Sequence, residues 1–191
     1  EHFEAEFLDA EVVKIVEKDD KIYDVILKME NIIHTRSVIV ATGATHNMLN
    51  VPGEAEYTGK GVSYCATCDG AFYRGKEVAV VGGGDVALED ALYLSNMAAK
   101  VYLIHRRDEL RGAKNLQEKV FATDNIEFIK DSVVTSVKGV DGMVSAVGVK
   151  NLKTEDMKDI AVAGVFVAIG MKPVSDFVKG FVDMDSFGYI I

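Results

Sequence analysis

The chain has 191 residues, 49% of them hydrophobic and 27% charged, which is enough apolar mass for one large or two small packed domains. A net charge of -9 argues against a general nucleic-acid role, because phosphate binding draws on clustered Lys and Arg, so any anion site must be built locally. Apolar runs such as VAVVGGG and AVAGVFVAIG fall short of the roughly 20 residues that a spanning helix needs, and no basic segment followed by an apolar stretch opens the sequence. No membrane association is expected, and the expected compartment is the cytoplasm.

Between Phe7 and about Thr42 the sequence runs in short apolar bursts, AEVVKIV, IYDVILKM and SVIVATG, separated by the polar EKDDK and MENIIHTR. That rhythm predicts β-strands and leaves no room for a helix of ordinary length. Pro52-Gly53 punctuates a loop running to about Gly61, which puts a boundary near Gly59. KEVAVVGGG then reads as a buried strand, DVALEDALYLSNM as a helix with acids near its start, and KVYLIHRR as a second strand. These three make one βαβ unit. A second helix is predicted over 113–122, then a strand in NIEFIK and three strand-like runs, SVVTSVKGV, MVSAVGVKNL and DIAVAGVFVAIG, with Asp141-Gly142 turning the first into the second. The sequence closes on the strand-like DSFGYII. The fold class is α/β: a Rossmann-like domain with a parallel sheet plus a β-meander, beside a strand-rich part.

The chain holds two cysteines, Cys65 and Cys68, in the stretch SYCATCDGAF. One C-x-x-C pair cannot build a disulfide framework and reads as redox-active or metal-binding. Structural zinc needs four ligands, and His2, His34, His46 and His105 are scattered singly, so a zinc site would have to be shared between subunits. No metal site is expected. A C-x-x-C pair at a helix start has one thiol favoured as thiolate, and CATCDGAFY could begin such a helix, shortened or distorted by Gly70. Opening a disulfide makes two thiolates, one of which takes a proton at neutral pH, and Asp69 stands where it could exchange that proton. Beside Gly70 it could equally be a capping or turn residue.

Gly82-Gly83-Gly84-Asp85-Val86-Ala87 fits G-x-G-x-x-G/A in the context that gives this pattern meaning, after a predicted strand and at the opening of a predicted helix. The first glycine, Gly82, permits the tight turn. The second, Gly84, lets backbone approach a pyrophosphate, and Ala87 lets helix pack on strand at an N-terminus that attracts the anion. An acid at the end of the second strand would bind a ribose 2′-hydroxyl; here stand His105, Arg106 and Arg107, with Arg111 beyond. Guanidinium pairs match phosphate oxygens, which favours NADPH over NADH, the alternative being a solvated basic face paired with Asp108 and Glu109. A nicotinamide carrier and a dithiol each handle two electrons, and a flavin is the usual go-between.

With these residues together, the sequence resembles the low-molecular-weight, bacterial-type thioredoxin reductases. The matching segments are VIVATGA, GKGVSYCATCDGAFYRGKEVAVVGGGDVALEDALYLSNMAAKVYLIHRRDELRG and VAGVFVAIGMKPVSDF, in that order. The resemblance implies an NADPH-dependent flavoprotein in which an NADPH domain carrying the dithiol is inserted into an FAD domain. Residues 59–177 would be the NADPH domain, 1–58 a strand-rich remnant of the FAD domain and 178–191 the start of the return into it. Cys65 and Cys68 would be the redox pair, Cys68 nearer the flavin, and Asp69 the acid. Gly82, Gly83, Gly84, Asp85 and Ala87 would hold the pyrophosphate, with Ile169 and Gly170 also on the cofactor. His105, Arg106, Arg107 and Arg111 would hold the 2′-phosphate, and Thr42, Gly43 and Ala44 would lie against FAD. Thioredoxin or a thioredoxin-like protein would be the partner, in a homodimer of the full-length parent. Val86 departs from the Ser or Thr common in relatives, which removes a hydroxyl contact to the phosphate. The reductase component of a peroxide-scavenging system, or an NADP(H)-binding redox switch without catalysis, remain alternatives.

The family's N-terminal FAD fingerprint does not occur before VIVATGA, nor its closing Gly-Asp segment after GYII. The expectation is that these 191 residues alone bind NADPH, retain no FAD and do not turn over thioredoxin. Stoichiometric flavin in the purified chain, or unaided reduction of thioredoxin, would contradict it.

Overall fold

The chain folds as two compact units, one made of Glu1–Thr45 with Met171–Ile191 and the other of His46–Gly170. The structure, a computed structural model, describes residues 5–18, 21–29 and 31–191. His2, and the Asp19, Asp20 and Glu30 positions of the predicted turns, lie outside the described residues.

In the first unit, β1 (Val12–Glu17), β2 (Tyr23–Leu27) and β3 (Ile32–Thr35) form an antiparallel sheet in sequence order, and β4 follows at Ala44–His46. Two predictions need correction. MENIIHTR is not a turn but carries β3, because Leu27 N donates to Asn31 O and brings Ile33 opposite Val25. SVIVATG forms no strand: residues 37–43 find no ladder partner among the described residues, and Ile39 is 91% exposed. A strand exists only where its amides and carbonyls are paired, so apolar alternation alone did not suffice.

The second unit opens with a short helix α1 (Glu54–Tyr57), then β5 (Val62–Ser63), a turn of helix α2 (Ala66–Asp69) continued by a 3-10 turn (Gly70–Tyr73), and β6 (Glu77–Val81). Helix α3 (Asp85–Ser95), β7 (Lys100–Ile104), α4 (Lys114–Phe121) and β8 (Ile126–Ile129) follow. Then come β9 (Ser132–Val140), β10 (Met143–Asn151), β11 (Met157–Ala161) and β12 (Gly164–Val167). Strands β5-β12-β6-β7-β8 form a five-stranded sheet with parallel pairings, and β9, β10 and β11 form the antiparallel meander. Both faces of the parallel sheet are buried, which is why its strands read as continuous apolar runs. Val78, Val80, Val101, Leu103 and Phe166 pack on the helix side with Ala87, Leu88, Ala91 and Leu94. Their alternates Ala79, Val81, Ile104 and Val165 pack with Val134, Val137 and Val147 of the meander.

The run DIAVAGVFVAIG, read as one strand, is two. Its first half is β11 of the meander, and its second half, β12, lies between β5 and β6. The chain passes between the sheets at Val162 and Ala163, and at Gly164, the first residue of β12, a Cβ would lie 2.4 Å from the Tyr73 ring. Back in the first unit, β13 (Met171–Pro173) pairs with β4. DSFGYII is a turn closed by Asp185 Oδ1, which accepts from Phe187 N (2.9 Å) and Tyr189 N (2.8 Å), leaving only an isolated bridge between Met184 and Ile190.

The divisions at 45/46 and 170/171 differ from the sequence-based boundaries at 58/59 and 177/178. Residues 46–58 belong to the second unit for local reasons. Val137 N donates to Pro52 O, and a Cβ on Gly53 would stand 2.0 Å from Val137 O. The buried Glu54 carboxylate accepts from Leu49 N (2.8 Å), Asn50 N (2.7 Å) and the Tyr64 hydroxyl (3.0 Å). No helix among the described residues is long and apolar enough to cross a membrane.

One acid on α3 opposes this packing. Asp90 is half-buried, and burial first, then the charge of Glu89, push its pKa up to about 6 from the usual 3.8. An acid whose folded pKa is raised costs nothing below its unfolded pKa, and its cost grows as pH climbs through that value to the folded one. Asp90→Asn is expected to raise the thermal midpoint at pH 7.5 by roughly 2–6 °C, a gain that vanishes at pH 3.5. Thermal melts at the two pH values check it.

Candidate functional site

The turn after β6 is packed on one side and open on the other. Gly82 has φ +154, and a Cβ there would stand 2.3 Å from Ala168 O and 2.7 Å from the Ala87 Cβ. At Gly83 a Cβ would come within 2.5 Å of the His105 ring. Gly84 differs, since nothing lies within 4 Å of an added Cβ, and it caps the eleven-residue α3 in extended conformation. Around that open face runs a cleft of about 660 Å³ lined by Gly82 to Val86, Ile104, His105, Arg106, Arg111 and, from the end of β12, Ala168 to Gly170. Residues Asn47 to Leu49 and Ser132 to Val134 complete the wall. The Val86 side chain is 61% exposed at this border.

The basic loop after β7 is tied to that turn by backbone. Gly83 O accepts from Arg111 N at 2.7 Å and from Gly112 N at 3.1 Å. Asp85, expected on the cofactor, commits its carboxylate elsewhere: Oδ1 accepts from Ala113 N at 2.7 Å, at the entry to α4. His105 is 5% exposed, its Nε2 has no partner, and its pKa is lowered by burial and then by the charges of Arg111, Arg107 and Arg106. Burial and the guanidiniums disfavour the charged form of His105, whose ring packs beneath Gly83, and Arg106, Arg107 and Arg111 are the permanent cations of the loop. Arg106 and Arg111 line the cleft, whereas Arg107 lies outside its lining.

The two sulfurs lie elsewhere in the same unit. Cys65 and Cys68 form a disulfide, with Cα atoms 5.3 Å apart. Cys65 caps α2, its sulfur accepting from Cys68 N at 3.2 Å, and α2 is as short as Gly70 suggested. Cys65 is half-buried and Cys68 exposed. The residue that sequence reading missed is Ser63, 5% exposed, whose hydroxyl accepts from Cys65 N (3.1 Å) and donates to Asp69 Oδ2 (2.6 Å). This ties the Asp69 carboxylate to the backbone of the first cysteine. A serine two residues ahead of C-x-x-C carries no pattern of its own, so only the fold reveals it. Neither cysteine lines the cleft. Among the described residues no cluster of His, Cys, Asp and Glu has metal-binding geometry.

A family model described as pyridine nucleotide-disulphide oxidoreductase matches residues 2–191. The chain belongs to the pyridine nucleotide-disulphide oxidoreductases. Among its relatives is a thioredoxin reductase of Peptoclostridium acidaminophilum, 49% identical over 82% of the chain and 51% of the relative. Another, from Streptomyces coelicolor, is 41% identical over 100% of the chain and 58% of the relative. A solved thioredoxin reductase from Streptococcus pyogenes superposes with a TM-score of 0.84 at 47% identity, covering 95% of the chain and 58% of that protein. The chain thus spans about half the length of the relatives it matches.

The remaining expected site residues divide between the units. Ile169 and Gly170 line the cleft, where Asn47 N donates to Gly170 O at 3.0 Å. Thr42, Gly43 and Ala44 belong to the first unit, where Thr42 Oγ1 donates to Val174 O and Gly43 O accepts from Val174 N. Gly43 has φ +66 and open space at its Cβ position.

Gly82 and Gly84 of the turn after β6 are expected to fail differently when substituted. Gly82→Ala should cost about 3 kcal/mol of stability, from its clash and its backbone strain. Gly84→Ala should leave the melting transition in place and weaken dinucleotide binding. Melting curves and nucleotide titrations of both variants check the split.

Proposed function

We propose that this chain is the NADPH-binding and dithiol portion of an NADPH-dependent thioredoxin-disulfide reductase. The second unit would be the NADPH domain, and the first unit part of an FAD domain. The observation that carries the reading is the open Gly84 face beside arginines that have no acidic partner among the described residues. No carboxylate among the described residues forms an ion pair with Arg106, Arg107 or Arg111, and Asp108 pairs with Lys153 instead. A basic face neutralised by its own acids would not look like this.

The residues fit the groups that the family implies. Gly84 offers a backbone cradle at the N-terminus of α3, Ala87 lets α3 sit close, and Arg106, Arg107 and Arg111 offer paired donors to a 2′-phosphate. His105, Ile169 and Gly170 would wall the same cofactor. For the flavin the chain offers the exposed Thr42-Gly43 backbone and Ala44. When bound, NADPH supplies a pair of electrons as hydride and FAD relays electron pairs to sulfur.

This chain's own work is at the disulfide. Reduction of the Cys65–Cys68 bond consumes two electrons and leaves two sulfur anions, one of which takes a proton. Asp69, whose carboxylate accepts from the Ser63 hydroxyl, would carry that proton. The reduced pair can then attack a disulfide of thioredoxin or a thioredoxin-like protein, closing its own bond as it opens the partner's. The names of the similar proteins support that acceptor. The parent protein would be a homodimer.

Titration of the chain with NADPH and NADH is expected to show NADPH bound at least about tenfold more tightly, the scale of one charge-assisted phosphate contact. Equal affinities would remove the 2′-phosphate role from the three arginines. In a full-length parent, Cys68→Ser is expected to abolish thioredoxin turnover while leaving NADPH binding unchanged. Retained turnover would contradict the dithiol role.

A further inference from the structure

Asp108 stands inside the basic loop, directly after Arg107 and before Glu109. A carboxylate in that position has arginines for neighbours and, paired with one, would cancel charge that the loop could offer to an anion. Instead its Oδ2 accepts from Lys153 Nζ at 2.9 Å, across a sequence separation of 45. The same Nζ lies 3.0 Å from Asp131 Oδ1.

Three segments meet at this ammonium, and backbone bonds fix all of them. Lys153 sits on the turn between β10 and β11, where Asn151 Oδ1 accepts from Lys153 N (2.9 Å) and Thr154 N (3.0 Å). Its neighbour Leu152 donates its amide to Asp131 O at 2.6 Å. Asp131, at the corner between β8 and β9, is 7% exposed with φ +52, and its own amide donates to Arg107 O at 3.1 Å. Ser132 N donates to His105 O at 2.9 Å. Lys153 therefore projects from an anchored turn onto a corner that is itself bonded to the basic loop. Its ammonium is held in the charged form by Asp108 and Asp131, and Asp108 is kept below the usual carboxylate range chiefly by Lys153.

We propose that Lys153 is a positioning residue for 2′-phosphate recognition: it engages Asp108 and Asp131 together, holds the basic loop to the β8–β9 corner, and keeps an internal carboxylate from competing for Arg106, Arg107 and Arg111. The inference rests on the reading of that loop as a 2′-phosphate site. Loss of the ammonium removes the shared partner of two carboxylates, one of them mostly buried, and leaves Lys130 as the other cation acting on Asp108. Asp108, left with Lys130 as its other cationic neighbour, is then free to compete for the guanidiniums of its own loop, and the ligand phosphate must displace it. A 5′-phosphate alone makes no demand on those arginines, so its affinity should not change.

Calorimetric titration with adenosine 2′,5′-bisphosphate and with 5′-AMP tests this on wild type, Lys153→Met, Lys153→Arg and the double variant Lys153→Met with Asp108→Asn. Lys153→Met is expected to weaken the bisphosphate about tenfold, the scale of one charge-assisted contact, and leave 5′-AMP unchanged. Lys153→Arg should retain affinity, and Asp108→Asn should restore most of the loss in the double variant. Equal loss of both nucleotides in Lys153→Met, undiminished preference for the bisphosphate, or no recovery in the double variant would each overturn the proposal. If the wild-type chain itself fails to prefer the bisphosphate, the 2′-phosphate reading falls and takes this inference with it. If wild type prefers it and Lys153→Met prefers it equally, only the role of Lys153 falls.

Discussion

The carbonyl of Gly83 accepts two amides at once, from Arg111 and Gly112, and on that junction the cleft depends. It joins the turn after β6 to the loop after β7, so an open glycine face and a group of guanidiniums become one surface. The parallel sheet makes the junction reachable, because adjacent parallel strands end side by side at about 4.8 Å spacing and each is followed by a loop at the same edge. Gly82 supports it from below, closed against Ala168 and Ala87, and His105 supports it from the side with a ring that fills the space a Gly83 side chain would need. An acidic protein thereby builds a local cation site without changing its overall charge.

The disulfide uses different means. It lies on a short helical turn outside the cleft, and its partner group is a carboxylate held by one serine. Cleft and sulfur pair share a unit and no lining residue, so each can be altered without the other. Asp85 shows a similar division of roles: the acid that opens α3 is bonded to the entry of α4, which keeps its charge engaged where an anion would sit.

Much of this was legible in the sequence because the governing constraints are local. VAVVGGG followed by a helical pattern gives strand, turn and helix; C-x-x-C gives the sulfur pair; the Gly-rich turn and HRR gave the cleft. What failed depended on partners distant in sequence. SVIVATG has the pattern of a strand and no ladder partner among the described residues, while the polar MENIIHTR carries a strand that pairs with β2. The strand run ending in VFVAIG is broken by a switch of sheets, set by ladder partners far away in the sequence. Ser63 and Lys153 act across the fold with no motif around them, and the burial of His105 disfavours a cation that its letter suggested.

The central claim is that the arginines bordering the glycine turn receive a phosphate monoester. Phosphorus NMR of NADP bound to the chain, followed across pH, reads it directly. A free phosphate monoester loses its second proton at about pH 6, and guanidiniums around it favour the dianion. The expected result is a bound 2′-phosphate resonance that titrates well below the free value, with the pyrophosphate signals also displaced. A bound cofactor whose 2′-phosphate titrates as it does in water would contradict the account.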